Sequence, residues 1–405
     1  MSEARIFRGW RVVVGAGIGV GFGSAVFLSA AFPLIAAAVA AAYGWSQAEV
    51  AKGASLALLL QALGYAASGW LIDRYGSRAV GALSIVLFAL SLAALALSGA
   101  VFWRYLLACG MIGLLAAGTN MVGYARAIAF WFDARRGLAF GVAAAFQAVG
   151  AVALPIVTQR VIAQASWPIA ALAIAAFEIV VCLPIVLWLV EDDPASRGLK
   201  GEAPAQTPAP VDAPTSDGSG ATFAKLAISF AFMGFSFYGI IANIAFILSA
   251  AGLSARDIAG IQAVSGLSVL FGRIGFGRML DRFPAGFVGV TALAAAAAFS
   301  LAAANASIHP IAWAGAVVGG LSIGGESDLL PYMAARYWGR ERVSRMLGLF
   351  LVVFVVGAGL GPIAVADASA ALGGARMALI GLALLQIVPA ALFLSLPAYP
   401  LRARV

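Results

Sequence analysis

Charged residues are scarce in this chain of 405 residues: only 10% are Asp, Glu, Lys or Arg, whereas 63% are hydrophobic. A soluble domain carries about 25% charged residues, so this composition excludes an ordinary soluble enzyme. Cysteine and histidine are also rare: the chain has two cysteines, Cys109 and Cys182, and one histidine, His309. Both cysteines lie in apolar stretches, which argues against a disulfide framework or a zinc site, and one histidine supports neither a catalytic triad nor a metal cluster.

The sequence also lacks a phosphate-binding loop of the P-loop type, so ATP is not expected as the direct energy source. We therefore predict no nucleotide partner, no cofactor and no enzymatic activity. Alternating glycines from Gly15 to Gly23 superficially resemble a dinucleotide-binding loop. No strand precedes them and they lie within a long apolar stretch, so they indicate close helix packing instead.

Long apolar runs, in contrast, are abundant. Crossing a hydrocarbon core of about 30 Å takes roughly 20 residues in a helix, and twelve segments reach that length. They lie near residues 11–36, 48–72, 79–99, 104–131, 138–161, 167–190, 223–249, 256–279, 286–306, 310–335, 343–366 and 376–397. The sequence therefore predicts an all-α integral membrane protein with twelve transmembrane helices.

The positive charges indicate the topology of these helices. With both termini in the cytoplasm, 18 of the 25 Lys and Arg residues lie on the cytoplasmic side, five lie outside, and Arg126 and Arg273 lie within helices. This distribution follows the positive-inside rule. Contacts with anionic lipid headgroups then explain the net charge of +8, and we predict no nucleic-acid partner. Richness in Ala, Gly and Arg is typical of a GC-rich bacterium, which predicts the bacterial inner membrane.

The chain is predicted to consist of two six-helix bundles. Residues 192–222 are rich in Pro, Ala, Ser, Gly and Asp and cannot bury a core, so they predict a flexible cytoplasmic linker between bundles at 1–191 and 223–405. A shift of 208 residues aligns 44–74 with 252–282 without a gap and gives eight identities. Both copies carry an acid near the outer end, Glu49 and Asp257, and both end in Gly-x-x-x-Asp-Arg. Two parallel repeats of this kind are a transporter architecture.

The stretch Gly69-Trp-Leu-Ile-Asp73-Arg74-Tyr-Gly-Ser-Arg78 resembles the signature of the loop between the second and third helices of the major facilitator superfamily. The resemblance covers the whole chain. Asp73 at a helix end, with Arg74 and Arg78 in the loop, can form ion pairs with neighbouring helix ends and so latch one conformation. The alternative is that these residues serve only as positive-inside anchors.

The second copy of this signature contains Asp281 and Arg282, but Pro284 replaces its second glycine. We therefore expect a looser latch in the C-terminal half.

Three further stretches resemble the monocarboxylate porters and the oxalate:formate antiporter-like branch of that superfamily. They are Gly9-Trp10, Trp131-Phe-Asp-Ala-Arg-Arg-Gly137 and Arg273-Ile-Gly-Phe-Gly277. In those relatives the arginine of the eighth helix binds the substrate carboxylate, and the resemblance implies this role for Arg273. The chain departs from the relatives at two points. Val269 stands where eukaryotic monocarboxylate porters often have an acid, and the eleventh segment lacks the lysine of the oxalate exchanger.

Charged residues inside a membrane are costly and are therefore functional candidates. Arg273 precedes Asp281 by eight residues, which places it roughly 12 Å from the cytoplasmic end of its helix, near the midplane. Its planar guanidinium can donate two hydrogen bonds to a carboxylate. The alternative for Arg273 is a structural ion pair with Glu326, which lies at a similar depth in the tenth segment.

Glu326 and Asp328 are the two candidate proton carriers of the tenth segment. They lie about 200° apart around the helix, so both cannot face the same cavity. We favour Glu326 for the cavity or its gate. The close alternative is Asp328 together with Tyr332, which follows it by four residues on the same face.

Five further polar or charged residues within the apolar segments complete the set considered. Arg126 lies roughly 10 Å from the cytoplasmic loop, which favours a gate ion pair or snorkelling. Asn120 and Tyr124 are four residues apart, so they are expected on one helix face, where they could hydrogen-bond a small anion. Asn243 is a further candidate for substrate binding. Glu178, in the sixth segment, is interpreted as structural.

These features predict proton-coupled symport of a small organic monocarboxylate, in which the two halves rock about a site containing Arg273 and an acid of the tenth segment. The expected partners are the anion, the proton and the lipid bilayer, and we expect a monomer. One alternative is an organic anion exchanger or an exporter of a larger amphipathic compound, which would show counterflow without net proton movement. Another is a non-transporting membrane receptor, which would bind its ligand without accumulating it.

Overall fold

Helices dominate the computed structural model, which describes residues 7–194, 220–241 and 243–397. The described residues contain no strand and form twelve helical segments, which confirms the predicted all-α fold. The segments are α1 (Gly9–Tyr43), α2 (Gln47–Tyr75), α3 (Ser77–Ala96), α4 (Phe102–Leu115 with Met121–Trp131), α5 (Arg136–Gln164), α6 (Trp167–Leu189), α7 (Gly220–Ile241 with Ile244–Ala250), α8 (Ala255–Arg282), α9 (Ala285–Ala304), α10 (His309–Trp338), α11 (Val343–Ala371) and α12 (Ala375–Leu394).

Ten of the helices in the described part of the chain are long and apolar enough to cross a membrane. The two predicted segments outside this group are α4, whose first piece has only 14 residues, and α10, which carries Glu326 and Asp328. Large apolar side chains such as Leu59, Leu90 and Trp188 are exposed on the helices, as expected for surfaces that contact lipid.

The chain divides into two compact units. The first comprises Met1–Pro204 with Arg340–Leu349, and the second comprises Ala205–Gly339 with Phe350–Val405. The first turns of α11 therefore pack with the first unit, which the sequence did not predict. Most of the predicted linker at 192–222 falls on residues 195–219, which lie outside the described residues.

The first unit has an apolar core that includes Phe27, Ile35, Phe88 and Leu92. The glycine run of α1 brings this helix close to its neighbours. A Cβ on Gly21 would lie 2.8 Å from the backbone oxygen of Phe146 in α5. This close approach is the packing that the alternating glycines indicated.

The repeat visible in the sequence begins with the same capping arrangement in both units. At the start of α2, the Ser46 hydroxyl accepts a hydrogen bond from the Glu49 backbone N–H at 3.2 Å. At the start of α8, the Ser254 hydroxyl accepts one from the Asp257 N–H, also at 3.2 Å. Glu49 and Asp257, the acids at matching positions of the repeat, are therefore explained as helix-capping residues, because carboxylates stabilise the first turn of a helix.

In the first unit, α1 and α4 are each interrupted where the sequence predicts a continuous helix. In α1, Gly23 adopts an extended conformation and is followed by a short helical turn and a π-helix over Phe27–Ala31. In α4, a 3-10 turn over Ala117–Thr119 interrupts the helix, and Asn120 is extended. The breaks face each other, since the Ser24 N–H donates to Thr119 Oγ1 at 2.9 Å and the Ser24 hydroxyl donates to the Ala116 carbonyl at 3.0 Å. Such bonds satisfy the backbone groups that a broken membrane helix leaves unpaired.

In the second unit, α8 and α10 pack closely through glycine. A Cβ on Gly324 of α10 would lie 2.6 Å from the backbone nitrogen of Arg273 in α8. A neighbouring core contains Ile240, Ile261 and Leu379. The glycine contact fixes the level at which the two helices meet, and so positions Arg273 against α10.

Candidate functional site

Asp73, at the end of α2, caps the N-terminus of α11 within the first unit. Its two carboxylate oxygens accept hydrogen bonds from the backbone N–H groups of Ser344 at 3.1 Å and Arg345 at 2.9 Å. The first N–H groups of a helix have no partner inside it and carry partial positive charge, so a carboxylate stabilises them. Gly69, one turn earlier, lies against the Ser344 carbonyl, which leaves no room for a side chain there.

Arg126 completes this cluster. Its guanidinium forms an ion pair with Glu341 at 2.9 Å and donates to the Asp73 carbonyl oxygen at 2.7 Å. It also lies over the Phe130 ring at 5.0 Å. An ion pair was one interpretation of Arg126, and its role as a gate stays a prediction. Glu341 was missed by sequence reasoning, because it lies in a loop far along the chain and no local pattern links it to α4.

The two loop arginines of the signature have different surroundings. The Arg74 guanidinium lies over the rings of Trp70 and Tyr75, at 5.5 and 5.4 Å. The Arg78 backbone N–H donates to the carboxylate of Asp192, 3.3 Å away. In the second unit, Asp281 is half-buried and Arg282 is exposed at the end of α8.

Asp192 is a second capping residue that the sequence analysis missed. Its carboxylate accepts from the backbone N–H groups of Ser77 and Arg78 at the start of α3. Gly76, just before, has a φ of 89°, a left-handed conformation that favours glycine, and a Cβ there would lie 2.6 Å from Asp192 Oδ2. Burial raises the pKa of Asp192, and the two N–H donors partly offset this rise. The only available signal was an acidic run after α6, which does not indicate which helix it caps.

We expect Asp73→Ala to lower the free energy of unfolding by about 1 kcal/mol, the usual effect of losing a helix cap. Asp73→Asn should lose less than half as much stability as Asp73→Ala, since its side-chain oxygen can still accept one of the two backbone N–H hydrogen bonds. Thermal unfolding of the purified protein in detergent measures both. Wild-type stability in Asp73→Ala would show that the cap contributes nothing.

The breaks in α1 and α4 create a buried polar cluster in the first unit. Asn120 Nδ2 donates to the Ser24 hydroxyl at 3.1 Å, and Gln61 Nε2 of α2 donates to the same hydroxyl at 3.2 Å. Asn120 is 4% exposed, and its Oδ1 has no hydrogen-bond partner among the described residues. Ser24, Gln61 and Thr119 were not predicted, because the sequence alone does not show that two helices break at the same level.

Tyr124 does not join Asn120. The expectation of a shared face assumed a continuous helix, and the break at Ala117–Asn120 removes that relationship. Tyr124 is fully buried against Gly19 of α1 and Gly81 of α3. Glu178, in the π-helical turn of α6, lies near it and is 1% exposed.

Arg273 and Asp328 form the charged pair of the second unit. Nη1 of Arg273 lies 3.9 Å from Oδ1 of Asp328, and their side chains are 10% and 1% exposed. This distance is too long for a hydrogen bond, so the interaction is electrostatic. Neither Asp328 oxygen has a hydrogen-bond partner within the described ranges. The acid beside Arg273 is thus Asp328, and the suggested pairing of Arg273 with Glu326 is wrong.

Glu326 faces α9 instead. Its Oε1 lies 3.1 Å from the Ser322 hydroxyl, which in turn lies 2.9 Å from the Ala292 carbonyl oxygen of α9. A hydroxyl has one proton to donate. The Ser322 hydroxyl therefore shares its proton between the Glu326 carboxyl and the Ala292 carbonyl, which ties the Glu326 side chain to the contact with α9. The preference for Glu326 at the cavity beside Arg273 is therefore not supported by its position.

Tyr332 and Asn243 have their polar groups engaged with the backbone. The Tyr332 hydroxyl donates to the Leu280 carbonyl at 2.6 Å, which ties α10 to the end of α8. Asn243 stands at the break of α7, and its Nδ2 donates to the carbonyls of Gly239 at 2.9 Å and Pro362 at 3.2 Å. Both residues therefore hold helices together in this structure.

A family comparison identifies the fold. The sequence profile of the Major Facilitator Superfamily matches residues 17–362. The chain belongs to the major facilitator superfamily. It is accordingly a multi-pass membrane transporter, which agrees with the resemblance of the 69–78 stretch.

Solved structures of the major facilitator superfamily share this fold at low sequence identity. The human organic anion transporter MFSD10 is 17% identical with a TM-score of 0.72, and the match covers 95% of this chain and 99% of that one. The proton:xylose symporter XylE is 15% identical with a TM-score of 0.68 and 96% coverage of both chains. The fucose:proton symporter FucP of E. coli is 14% identical with a TM-score of 0.64, covering 96% and 100%. No curated protein matches the sequence.

Proposed function

We propose that this transporter carries a small organic monocarboxylate together with a proton, by alternating access. The observation that supports the proposal most directly is a buried pair of opposite charges in a membrane protein. Arg273 of α8 lies beside Asp328 of α10, and both side chains are buried. Charged side chains inside a membrane are costly and are retained for binding or for coupling. The resemblance to monocarboxylate porters around Arg273 is consistent with this role.

Charge balance at the pair explains why a proton should accompany the anion. Arg273 and Asp328 together are neutral, so a substrate carboxylate beside them would add an uncompensated negative charge in a poorly solvated site. Protonation of Asp328 removes this excess and leaves the guanidinium to bind the substrate carboxylate. One anion and one proton then enter as a neutral unit. Asp328 is the proposed proton carrier, and Glu326 is assigned a structural contact with α9.

The cluster of Asp73, Arg126 and Glu341 at the start of α11 is proposed to control the change of conformation. The Asp73 cap on α11 and the ion pair of Arg126 with Glu341 require α2, α4 and the start of α11 to remain together. Breaking these contacts would release α11 from the first unit. We propose that the 69–78 stretch acts as a latch in this way, and that the Asp281 copy is weaker because Pro284 changes its loop.

Uptake into proteoliposomes tests the proposal. Labelled lactate, pyruvate and a panel of other carboxylates are added with and without an inward proton gradient. We expect accumulation that depends on the gradient and that a protonophore abolishes. Counterflow without net proton movement would identify an anion exchanger, and binding without accumulation would identify a receptor. If no carboxylate is transported, the proposal is wrong and only the transporter fold remains.

A further inference from the structure

The second unit contains an apolar cavity of about 310 Å³ between α7, α8, α9 and α10. Most of its wall is aliphatic or aromatic, and the larger side chains are Phe237, Ile244, Ile261, Val269, Phe299 and Ile323. Gln262 and Ser265 are the polar residues that line it. None of the described residues that line it is charged, so they offer no partner for a second carboxylate.

One end of this cavity lies one helical turn from Arg273, which is not itself among the described residues that line it. Val269 in the wall precedes Arg273 by one helical turn, about 6 Å along α8. Ile323 in the wall precedes Gly324, whose Cβ position lies 2.6 Å from the Arg273 backbone nitrogen. Both walls thus lead to the level of the proposed carboxylate-binding arginine. A ligand held by Arg273 can extend its body along Val269 and Ile323.

The cavity walls determine which kind of group, attached to the carboxylate, is favoured there. Hydroxyl groups placed against Val, Ile and Phe side chains would lose their hydrogen bonds to water without replacement, whereas an apolar body loses none. The volume lies at the lower end of the roughly 300–1,000 Å³ range of small-molecule pockets. It suits a compact ring or branched chain better than an extended one.

We infer that the substrate is an amphipathic monocarboxylate whose carboxylate binds Arg273 and whose aromatic or branched apolar body occupies this cavity. The inference rests on the proposed function and narrows it, since hydroxylated acids such as lactate become poor substrates.

Gly266 offers a way to fill the cavity without disturbing the helices. It lines the cavity, and a Cβ built on it meets no atom within 4 Å. Gly275 provides the matched control, because a Cβ there also meets open space. It follows Gly266 by nine residues, about two and a half turns, and so lies on the opposite face of α8.

The test measures uptake of labelled phenylacetate and of labelled lactate in proteoliposomes. Wild-type protein should take up phenylacetate with a KM at least about tenfold below that for lactate, a usual effect of apolar complementarity. Gly266→Leu should raise the phenylacetate KM by on the order of tenfold, while Gly275→Leu leaves it unchanged. Val269→Thr, which is nearly the same size but polar, should also raise the phenylacetate KM. This variant tests the cavity assignment if Gly266→Leu does not fold.

The outcomes separate this inference from the proposed function. Equal KM values for lactate and phenylacetate, or a Gly266→Leu variant with an unchanged phenylacetate KM, would overturn the cavity assignment alone. Gradient-driven uptake of lactate without uptake of phenylacetate would do the same. Failure to transport either acid would instead remove the proposed function on which the inference rests.

Discussion

Arg273→Ala is expected to reduce carboxylate uptake by roughly 100-fold in kcat/KM, because the variant loses the buried cation that is proposed to bind the substrate carboxylate. The guanidinium lies 3.9 Å from the Asp328 carboxylate, and Arg273 follows Val269 in the wall of the apolar cavity by one helical turn. Water exclusion strengthens an ion pair in such a place, so few other contacts can compensate. Initial rates of phenylacetate and pyruvate uptake in proteoliposomes measure the loss.

A loss of uptake in Arg273→Ala alone would not separate binding from stability. Removing one partner of a buried pair typically costs about 3–5 kcal/mol, because the other charge remains buried. The double variant Arg273→Ala/Asp328→Asn removes both charges and should recover most of the thermal stability while still failing to transport. Recovery of uptake in the double variant would make Arg273 a structural partner of Asp328 only.

Arg278 supplies the matched control for this experiment. It lies on the same helix, is exposed, and belongs to the arginines counted on the cytoplasmic side. Arg278→Ala should retain uptake within about twofold, since exposed charges contribute little to stability. A comparable loss in both alanine variants would mean that helix α8 tolerates no change of charge, and the specific role of Arg273 would fall.

The helices could be predicted from the sequence because the length of an apolar run is enough to indicate a membrane span. Most predicted boundaries agree with the structure within a few residues, although α1 continues to Tyr43 and α11 to Ala371. The breaks at Gly23 and Ala117–Asn120 were not predictable. They depend on hydrogen bonds between α1 and α4, and an apolar run looks the same whether or not a neighbouring helix satisfies its backbone.

The orientation of α10 is a second feature that the sequence predicted only in part. Spacing alone placed Glu326 and Asp328 on different sides of the helix, and the structure agrees. Spacing did not reveal which side meets α8, because the buried and lipid-facing surfaces of a membrane helix are both apolar. The glycines of α10 were the missing signal. Gly320 and Gly324 mark the face that packs against α8, and Asp328 continues it four residues after Gly324.

Asp328→Asn should abolish proton-driven accumulation of the substrate and preserve exchange of labelled for unlabelled substrate across the membrane. A permanently neutral side chain leaves Arg273 able to bind a carboxylate without a proton, so binding continues while coupling is lost. The KM of the wild-type protein should rise with pH, because Asp328 must be protonated when the anion binds. In Asp328→Asn the KM should be independent of pH.

Glu326→Gln is the matched comparison, since it makes the same change of charge on the same helix two residues away. Its amide can still hydrogen-bond the Ser322 hydroxyl, so accumulation should stay within about twofold of wild type. Measurements of accumulation ratio, exchange rate and KM at several values between about pH 5 and 8 compare the two variants. Loss of accumulation in Glu326→Gln, with normal coupling in Asp328→Asn, would identify Glu326, on the α9 side of α10, as the proton carrier. The charge-balance mechanism at Arg273 would then be wrong, because the coupled proton would bind away from the arginine that it is proposed to release.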